Sequence, residues 1–224
     1  MTYTYKLEIK KKHPIITTDD GRRLIVDTGS PVTAGPKFRL CGESMTGGPI
    51  LVDVLKCLGG YRAKGLLGLD VLKKYHVVID YPNEQIMFSD QPLGIKGERL
   101  TMNKGLLGEI GFDADINGRP SKVVFDTGAP ISYVAPYLVK GYEIVGHDKD
   151  FYPCGGKFDV DLRNVDLRIG DAIEMKIKAG VLPGLLALTA ALMGDAIIGY
   201  DLLSRGQVEL DFENGFITIG ELGL

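Results

Sequence analysis

Two aspartates in this chain share an unusual setting. Asp27 follows the apolar run Leu24-Ile25-Val26 and opens Asp27-Thr28-Gly29, while Asp126 follows Val123-Val124-Phe125 and opens Asp126-Thr127-Gly128. An acid placed directly after an apolar strand stands at the rim of a core, where desolvation raises its pKa. Two such acids brought face to face cannot both ionise easily, so the pair shares one proton over a wide pH range. The ionised member can then draw a proton from water while the protonated member supplies one, which is the acid–base service that amide hydrolysis requires. A site of this kind calls for no metal and no cofactor. The three histidines, His13, His76 and His147, are scattered and have no metal-ligand spacing.

The elements that must position these acids are duplicated. Gly68, Asp70, Leu72, Val77, Asp80, Asn83 and Ile86 recur without a gap as Gly199, Asp201, Leu203, Val208, Asp211, Asn214 and Ile217, at an offset of 131. The two D-T-G runs stand at an offset of 99, so the second copy carries 32 extra residues between its D-T-G and its apolar-apolar-Gly. Period-2 alternation predicts strands through Tyr5-Leu7-Ile9, Phe158-Val160-Leu162 and Ile173-Met175-Ile177. Asn117-Gly118, Asp20-Gly21 and Gly170-Asp171 supply hairpin turns, and hairpins recur at Val77–Phe88 and Glu209–Ile219. Helix is confined to one-turn pieces at Asp70–Lys74 and Asp201–Arg205, each capped by its Asp, and a buried helix at Leu185–Met193. Glycine, 30 of 224 residues, is about twice as common as usual and favours turns over long helices. The product is all-β, two small curved barrels. The polar segment Asp90–Glu98 separates residues 1–95 from 96–224.

These marks together resemble the aspartic peptidases, the pepsin-like and retroviral-protease-like class. The likeness rests on Val26-Asp27-Thr28-Gly29-Ser30, Phe125-Asp126-Thr127-Gly128-Ala129, Leu66-Leu67-Gly68 and Ile197-Ile198-Gly199, and it spans nearly the whole chain. It implies a bilobal acid-protease fold, like a retroviral-type dimer fused into one chain, so that a homodimer is not needed to make the site. It further implies that Asp27 and Asp126 are catalytic, that Thr28 and Thr127 hold the two loops together, and that Gly29 and Gly128 offer backbone N–H groups. Ser30 would donate its hydroxyl to Asp27 and Ala129 cannot donate to Asp126, which sets a moderately acidic optimum. The substrate would be an extended peptide or protein. The alternative is a non-catalytic peptide-binding or scaffold protein that retains the fold, or an enzyme that needs maturation or a partner. Only 40 residues separate Asp27 from Gly68, so the covering flap is expected from the second half, around Tyr152–Leu162, with Met45-Thr46-Gly47-Gly48 a stub in the first and Tyr61 a candidate for the ring that a flap carries.

Composition removes other classes. A formal charge of −3 and the absence of a basic patch argue against nucleic acid; Lys10-Lys11-Lys12 reads as a solvated run. Cys41, Cys57 and Cys154 form no disulfide framework or metal knuckle. The mostly apolar Leu182–Met193 is too short to span a bilayer and is read as core or lobe–lobe contact in preference to the lining of a cleft or substrate entrance. With no apolar signal segment at its start, the chain is expected to be a cytoplasmic monomer without a membrane partner. Asp80 and Asp211 are read as hairpin residues, and Tyr133, Tyr137, Tyr142 and Tyr152 as candidate walls for substrate side chains.

Overall fold

Alternating apolar residues become strands along most of both halves. The structure is a computed structural model and describes the chain apart from residues 51–57, 59, 107, 153–155 and 224. The first half contains β1 (Thr2–Lys10), β2 (His13–Thr17), β3 (Arg23–Val26), β4 (Phe38–Leu40), β5 (Glu43–Met45), β6 (Gly65–Leu67), β7 (His76–Asp80) and β8 (Gln85–Ser89). The second contains β9 (Gly97–Thr101), β10 (Asn103–Lys104), β11 (Ile110–Ile116), β12 (Arg119–Phe125), β13 (Ser132–Val134), β14 (Gly146–Tyr152), β15 (Gly156–Ile169), β16 (Ile173–Gly180), β17 (Ala196–Ile198), β18 (Gln207–Asp211) and β19 (Phe216–Gly220). Helices α1 (Leu69–Leu72), α2 (Gly184–Met193) and α3 (Tyr200–Leu203) are short. The result is the all-β, two-lobed architecture that the repeat predicts.

Each half repeats one parallel pairing. Strand β3 runs parallel to β6 with Val26 opposite Leu67, and β12 runs parallel to β17 with Phe125 opposite Ile198. The Asp27 N–H donates to the Leu67 carbonyl and the Asp126 N–H to the Ile198 carbonyl, both at 3.0 Å. The apolar-apolar-Gly motif is therefore the strand that fixes the end of each D-T-G strand. A Cβ on Gly68 would lie 2.5 Å from the Val32 carbonyl, and one on Gly199 would lie 2.1 Å from that of Asp126, so neither position admits a larger residue at this approach.

The halves meet in one sheet of order β6-β3-β2-β1-β8-β7-β18-β19-β9. At its centre β7 and β18 are antiparallel, with Val77 opposite Leu210 and Ile79 opposite Val208. Under the offset of 131, Val77 corresponds to Val208 and Ile79 to Leu210, so the register maps onto itself about a two-fold axis. The flanking pairs obey the same rule. Gln207 Nε2 donates to Asp80 Oδ2 at 2.8 Å, and its counterpart His76 sets Nδ1 3.2 Å from Asp211 Oδ1. Asp80 and Asp211 are buried hairpin residues that also accept the backbone N–H groups of Asn83 and Asn214, as the sequence predicts. One apolar core runs under both halves, joining Val26, Leu67 and Phe88 to Phe112, Phe125 and Ile198, with each fully buried side chain contributing about 1.5–3 kcal/mol.

The second sheet, β10-β11-β12-β17-β13-β16-β15-β14, closes through an extra β11–β15 pairing. The longer second half thus supplies the hairpin β14–β15, which pairs from Gly146 opposite Leu162 to Tyr152 opposite Gly156. Its tip, with Cys154 and Gly155, lies outside the described residues, as does Cys57. Cys41 is a buried free thiol. In the first half the described part of the stub region places Met45 in the short hairpin β4–β5 and Gly48 in an isolated bridge with Ala34.

Three local expectations are corrected. Asp70 and Asp201 are not helix caps: Gly68 and Gly199 hold the N-cap positions of α1 and α3, with no side-chain cap bond. Asp70 Oδ1 instead accepts the Thr33 N–H at 2.7 Å and its hydroxyl at 2.6 Å, and Asp201 accepts the Ser132 hydroxyl at 2.6 Å. Thr33 and Ser132 each stand six residues after a D-T-G Asp, so these acids tie the exit of each loop to the helix behind it. Third, α2 is not buried, because Leu185, Leu188 and Leu192 are 78, 62 and 66% exposed. No helix among the described residues is long and apolar enough to cross a membrane.

The connection between halves is held by Glu209 of β18, only 3% exposed, whose carboxylate accepts the N–H groups of Leu93 (2.6 Å), Gly94 (3.1 Å) and Ile95 (2.9 Å). Glu209→Gln keeps the shape but turns an amide NH2 toward these donors. It is expected to lower unfolding free energy in urea by about 1.5–3 kcal/mol, the loss of one charged hydrogen bond, and to speed proteolysis within residues 90–98.

Candidate active site

The parallel strand pairs deliver both D-T-G loops to the floor of one cleft, a cavity of about 370 Å³ lined by Asp27, Gly29, Ser30, Asp126, Gly128 and Ala129. Two threonines lock the loops together. The Thr28 N–H donates to Thr127 Oγ1 (3.0 Å) and the Thr127 N–H to Thr28 Oγ1 (2.9 Å). Each hydroxyl then donates across the interface, Thr28 to the Phe125 carbonyl and Thr127 to the Val26 carbonyl, both at 2.7 Å. Both side chains are fully buried. Every polar atom of the clamp has its partner in the opposite half.

This clamp brings Asp27 and Asp126 together at the cleft floor, where each carboxyl acts on the other's titration. The loop glycines make room for it. A Cβ on Gly29 would come within 2.4 Å of Asp126 Oδ2, and one on Gly128 within 2.7 Å of Asp27 Oδ1. The Gly128 N–H donates to Asp126 Oδ1 at 2.8 Å, and the Gly29 amide favours the charged form of both carboxyls. The Ser30 N–H donates to Asp27 Oδ1 at 3.1 Å. The Ser30 hydroxyl does not: it donates to the Val32 carbonyl at 2.8 Å. The expected tuning of Asp27 by that hydroxyl is therefore corrected, since a closer backbone acceptor holds it.

Burial pushes the Asp27 carboxyl up from 3.8 to about 8, helped next by the charge of Asp126 and opposed by the Gly29 and Ser30 amides. Burial also raises Asp126, opposed by the Gly128 amide, by the proton of Asp27 and by His13. Each carboxyl thus faces backbone donors, yet burial favours the neutral form of both, and the pair retains a shared proton above the ordinary carboxylate range.

The walls come from both halves. Pro31, Val32, Pro49 and Ile50 face Phe151 and Phe158 of the β14–β15 hairpin and Leu182, Leu186, Ala190 and Met193 around α2. The hairpin expected as a flap therefore borders the cleft, and α2, read from sequence as core, is a cleft wall. Of the candidate tyrosines, Tyr133 lines the cleft and donates to Asp150 Oδ2 at 2.5 Å. Tyr137 and Tyr142 are about half exposed and lie outside it, and the Tyr152 side chain is not among those described. Tyr61 packs its ring 4.7 Å from that of His13. Sequence reasoning missed His13 and Asp150, both in the cleft lining. Neither has a neighbouring motif; strand pairing alone puts them there.

The raised carboxyl makes stability depend on pH. Between about 4 and 8 the folded chain holds a proton on Asp27 that the unfolded chain has lost. With more protons bound in the folded state, stability is greatest below the unfolded pKa and falls as pH rises through that interval. Asp27→Asn removes this dependence. Urea unfolding at pH 4.5, 6 and 7.5 should show a declining stability for the wild type and a flatter profile for the variant, which is the more stable of the two at pH 7.5.

No family model matches the chain, and no curated protein matches it. Among solved structures it is similar to basic 7S globulin from soybean, with a TM-score of 0.57 and 10% identity over 98% of this chain and 94% of that one. It is similar also to conglutin gamma, a basic 7S globulin from lupine seeds, with a TM-score of 0.55 and 12% identity over 99% and 95%. These findings overturn the assignment to the aspartic peptidases that the motifs suggested: the structural likeness runs to globulins. At such identities it establishes the fold alone. The chain has the bilobal acid-protease-like fold of the 7S globulins.

Proposed function

We propose that this protein binds an extended polypeptide segment in the cleft between its lobes. The supporting observation is the cleft itself, whose apolar walls stand on both halves above a polar floor. An apolar groove with a few fixed polar groups is the usual form of a ligand site. Whole-length likeness to two proteins described as globulins supports a binding or scaffold role without cleavage. The hairpin β14–β15 and the residues Pro49–Ile50 would flank the bound segment.

One observation favours a second reading, hydrolysis of the bound segment: the paired Asp27 and Asp126 carboxyls at the cleft floor, buried together so that each raises or resists the other's ionisation. In this reading Asp126 takes a proton from a water whose oxygen attacks the amide carbonyl carbon, while Asp27 gives its proton to the carbonyl oxygen. Collapse of the tetrahedral diol returns a proton to Asp27, breaks the C–N bond, and passes the proton on Asp126 to the leaving nitrogen. Protons and charge balance over the cycle, and the carboxyls end as they began.

Incubation with a diverse peptide library from pH 4 to 7.5, read by mass spectrometry both for retained and for cleaved peptides, separates the two readings. Retention by wild type and Asp27→Asn alike, with no cleavage by either, would support binding alone. Cleavage by the wild type, reduced at least about 10³-fold in Asp27→Asn and in Asp126→Asn with retention kept, would support hydrolysis. Absence of any retained or cleaved peptide would overturn both.

A further inference from the structure

The hairpin β14–β15 carries its charges differently on its two faces. Residues directly opposite each other across an antiparallel pair share a face. On the exposed face each basic residue meets an acid: His147 Nδ1 lies 2.8 Å from Asp161 Oδ1, and Lys149 Nζ lies 3.6 Å from Asp159 Oδ1. On the other face Asp148 stands opposite Val160 and Asp150 opposite Phe158, an acid against an apolar residue each time. Val160 is buried in a cluster with Tyr133 and Leu182, and Phe158 packs on the same cluster. This is therefore the face turned inward.

The two inward acids keep different company. Asp148 lines a separate cavity together with Lys12, Lys176, Lys178 and Arg205. Asp150 lines the main cleft, and no lysine or arginine stands among the described residues of that lining. Its carboxylate is nevertheless held in place. The Tyr133 hydroxyl donates to Oδ2 at 2.5 Å and the Phe151 N–H to Oδ1 at 2.7 Å. The Tyr133 ring is only 6% exposed, so packing fixes the hydroxyl that steers the acid.

A carboxylate offers about four acceptor sites, two on each oxygen. The two donors occupy one site on each oxygen of Asp150, which leaves one on each for a ligand. That remainder matches the fork of a guanidinium, or one ammonium. A charge set in an apolar wall is costly without a partner of opposite sign. Here the wall around it is Phe151, Phe158, Leu182 and Leu186, and the opposite sign has to come from whatever fills the cleft.

We infer that Asp150 is a specificity-determining residue: it selects an arginine or lysine side chain in the polypeptide that the cleft binds. The inference rests on the peptide-binding reading and narrows its ligand to a segment with one basic side chain set among apolar ones. It holds equally for a bound segment that is cleaved, because Asp150 would contact a side chain and not the reacting atoms.

The test uses Asp27→Asn as background, so that no peptide is lost to turnover. Peptides retained from a diverse library should be enriched in arginine or lysine at one position. For a retained peptide, replacing that residue by glutamine should raise Kd, measured by fluorescence anisotropy, at least about tenfold, the scale of one charge-assisted hydrogen bond. Adding Asp150→Asn, which still offers an oxygen to the Tyr133 hydroxyl, should abolish the difference between the two peptides. Adding Asp148→Asn instead removes the same charge from the same hairpin face outside the cleft, and should leave the difference in place. Retention without a basic preference, or a preference that survives Asp150→Asn, would overturn the inference and leave peptide binding standing. Equal loss in the Asp148→Asn protein would overturn it too, since net charge and not this carboxylate would then be responsible. Absence of any retained peptide would remove the binding reading and this inference with it. The enrichment in the background protein decides the matter even if Asp150→Asn does not fold: without it the inference fails.

Discussion

Reciprocal hydrogen bonding between Thr28 and Thr127 is the interaction on which the site depends. Each threonine amide donates to the other's hydroxyl, and each hydroxyl donates to the strand that carries the opposite aspartate. Because both side chains are fully buried, removing one hydroxyl would leave two backbone groups without partners, each costing about 1–3 kcal/mol. The clamp therefore does more than join two loops. It holds two acids together that would otherwise repel, and makes their close approach a property of the fold rather than of a ligand.

The rest of the architecture supplies the geometry this clamp needs. Parallel pairs β3–β6 and β12–β17 set each aspartate at the same height. The antiparallel β7–β18 contact relates the two halves by a two-fold axis, and Glu209 fastens the connecting segment to that contact through three backbone N–H groups. Packing of one core under both halves means that the lobes are not independent beads. Where the halves differ, the second half adds β14–β15 and α2, which bring Phe151, Phe158, Leu186, Ala190 and Met193 to the cleft wall.

A dyad so well formed sits uneasily with a structural likeness to globulins, but the two facts operate at different levels. The likeness concerns the path of the chain, shared at 10–12% identity, and a fold hosts more than one function. The carboxyl pair concerns the chemistry of six atoms at the cleft floor. Peptide binding is compatible with both, because it uses the cleft that the fold creates, while hydrolysis additionally uses the proton that the pair shares.

The chain by itself determined the duplication, the strand content, the two acids and their clamping threonines. These are legible because a repeat at offsets of 99 and 131, and alternation of apolar residues, are written locally and twice. Asp80 and Asp211 were legible for the same reason, since their partners Asn83 and Asn214 lie three residues on. What tertiary structure alone decided involves competition between distant partners. Asp70 meets Thr33 from 37 residues away and leaves the cap that a local reading assigns it. Helix α2, apolar on every face, carries no period to say which side is buried, and the β14–β15 hairpin and the cleft leave three of its leucines in solvent. His13 enters the site only because β2 pairs with β3 and the two halves close around the cleft, an arrangement that no spacing within the first half encodes.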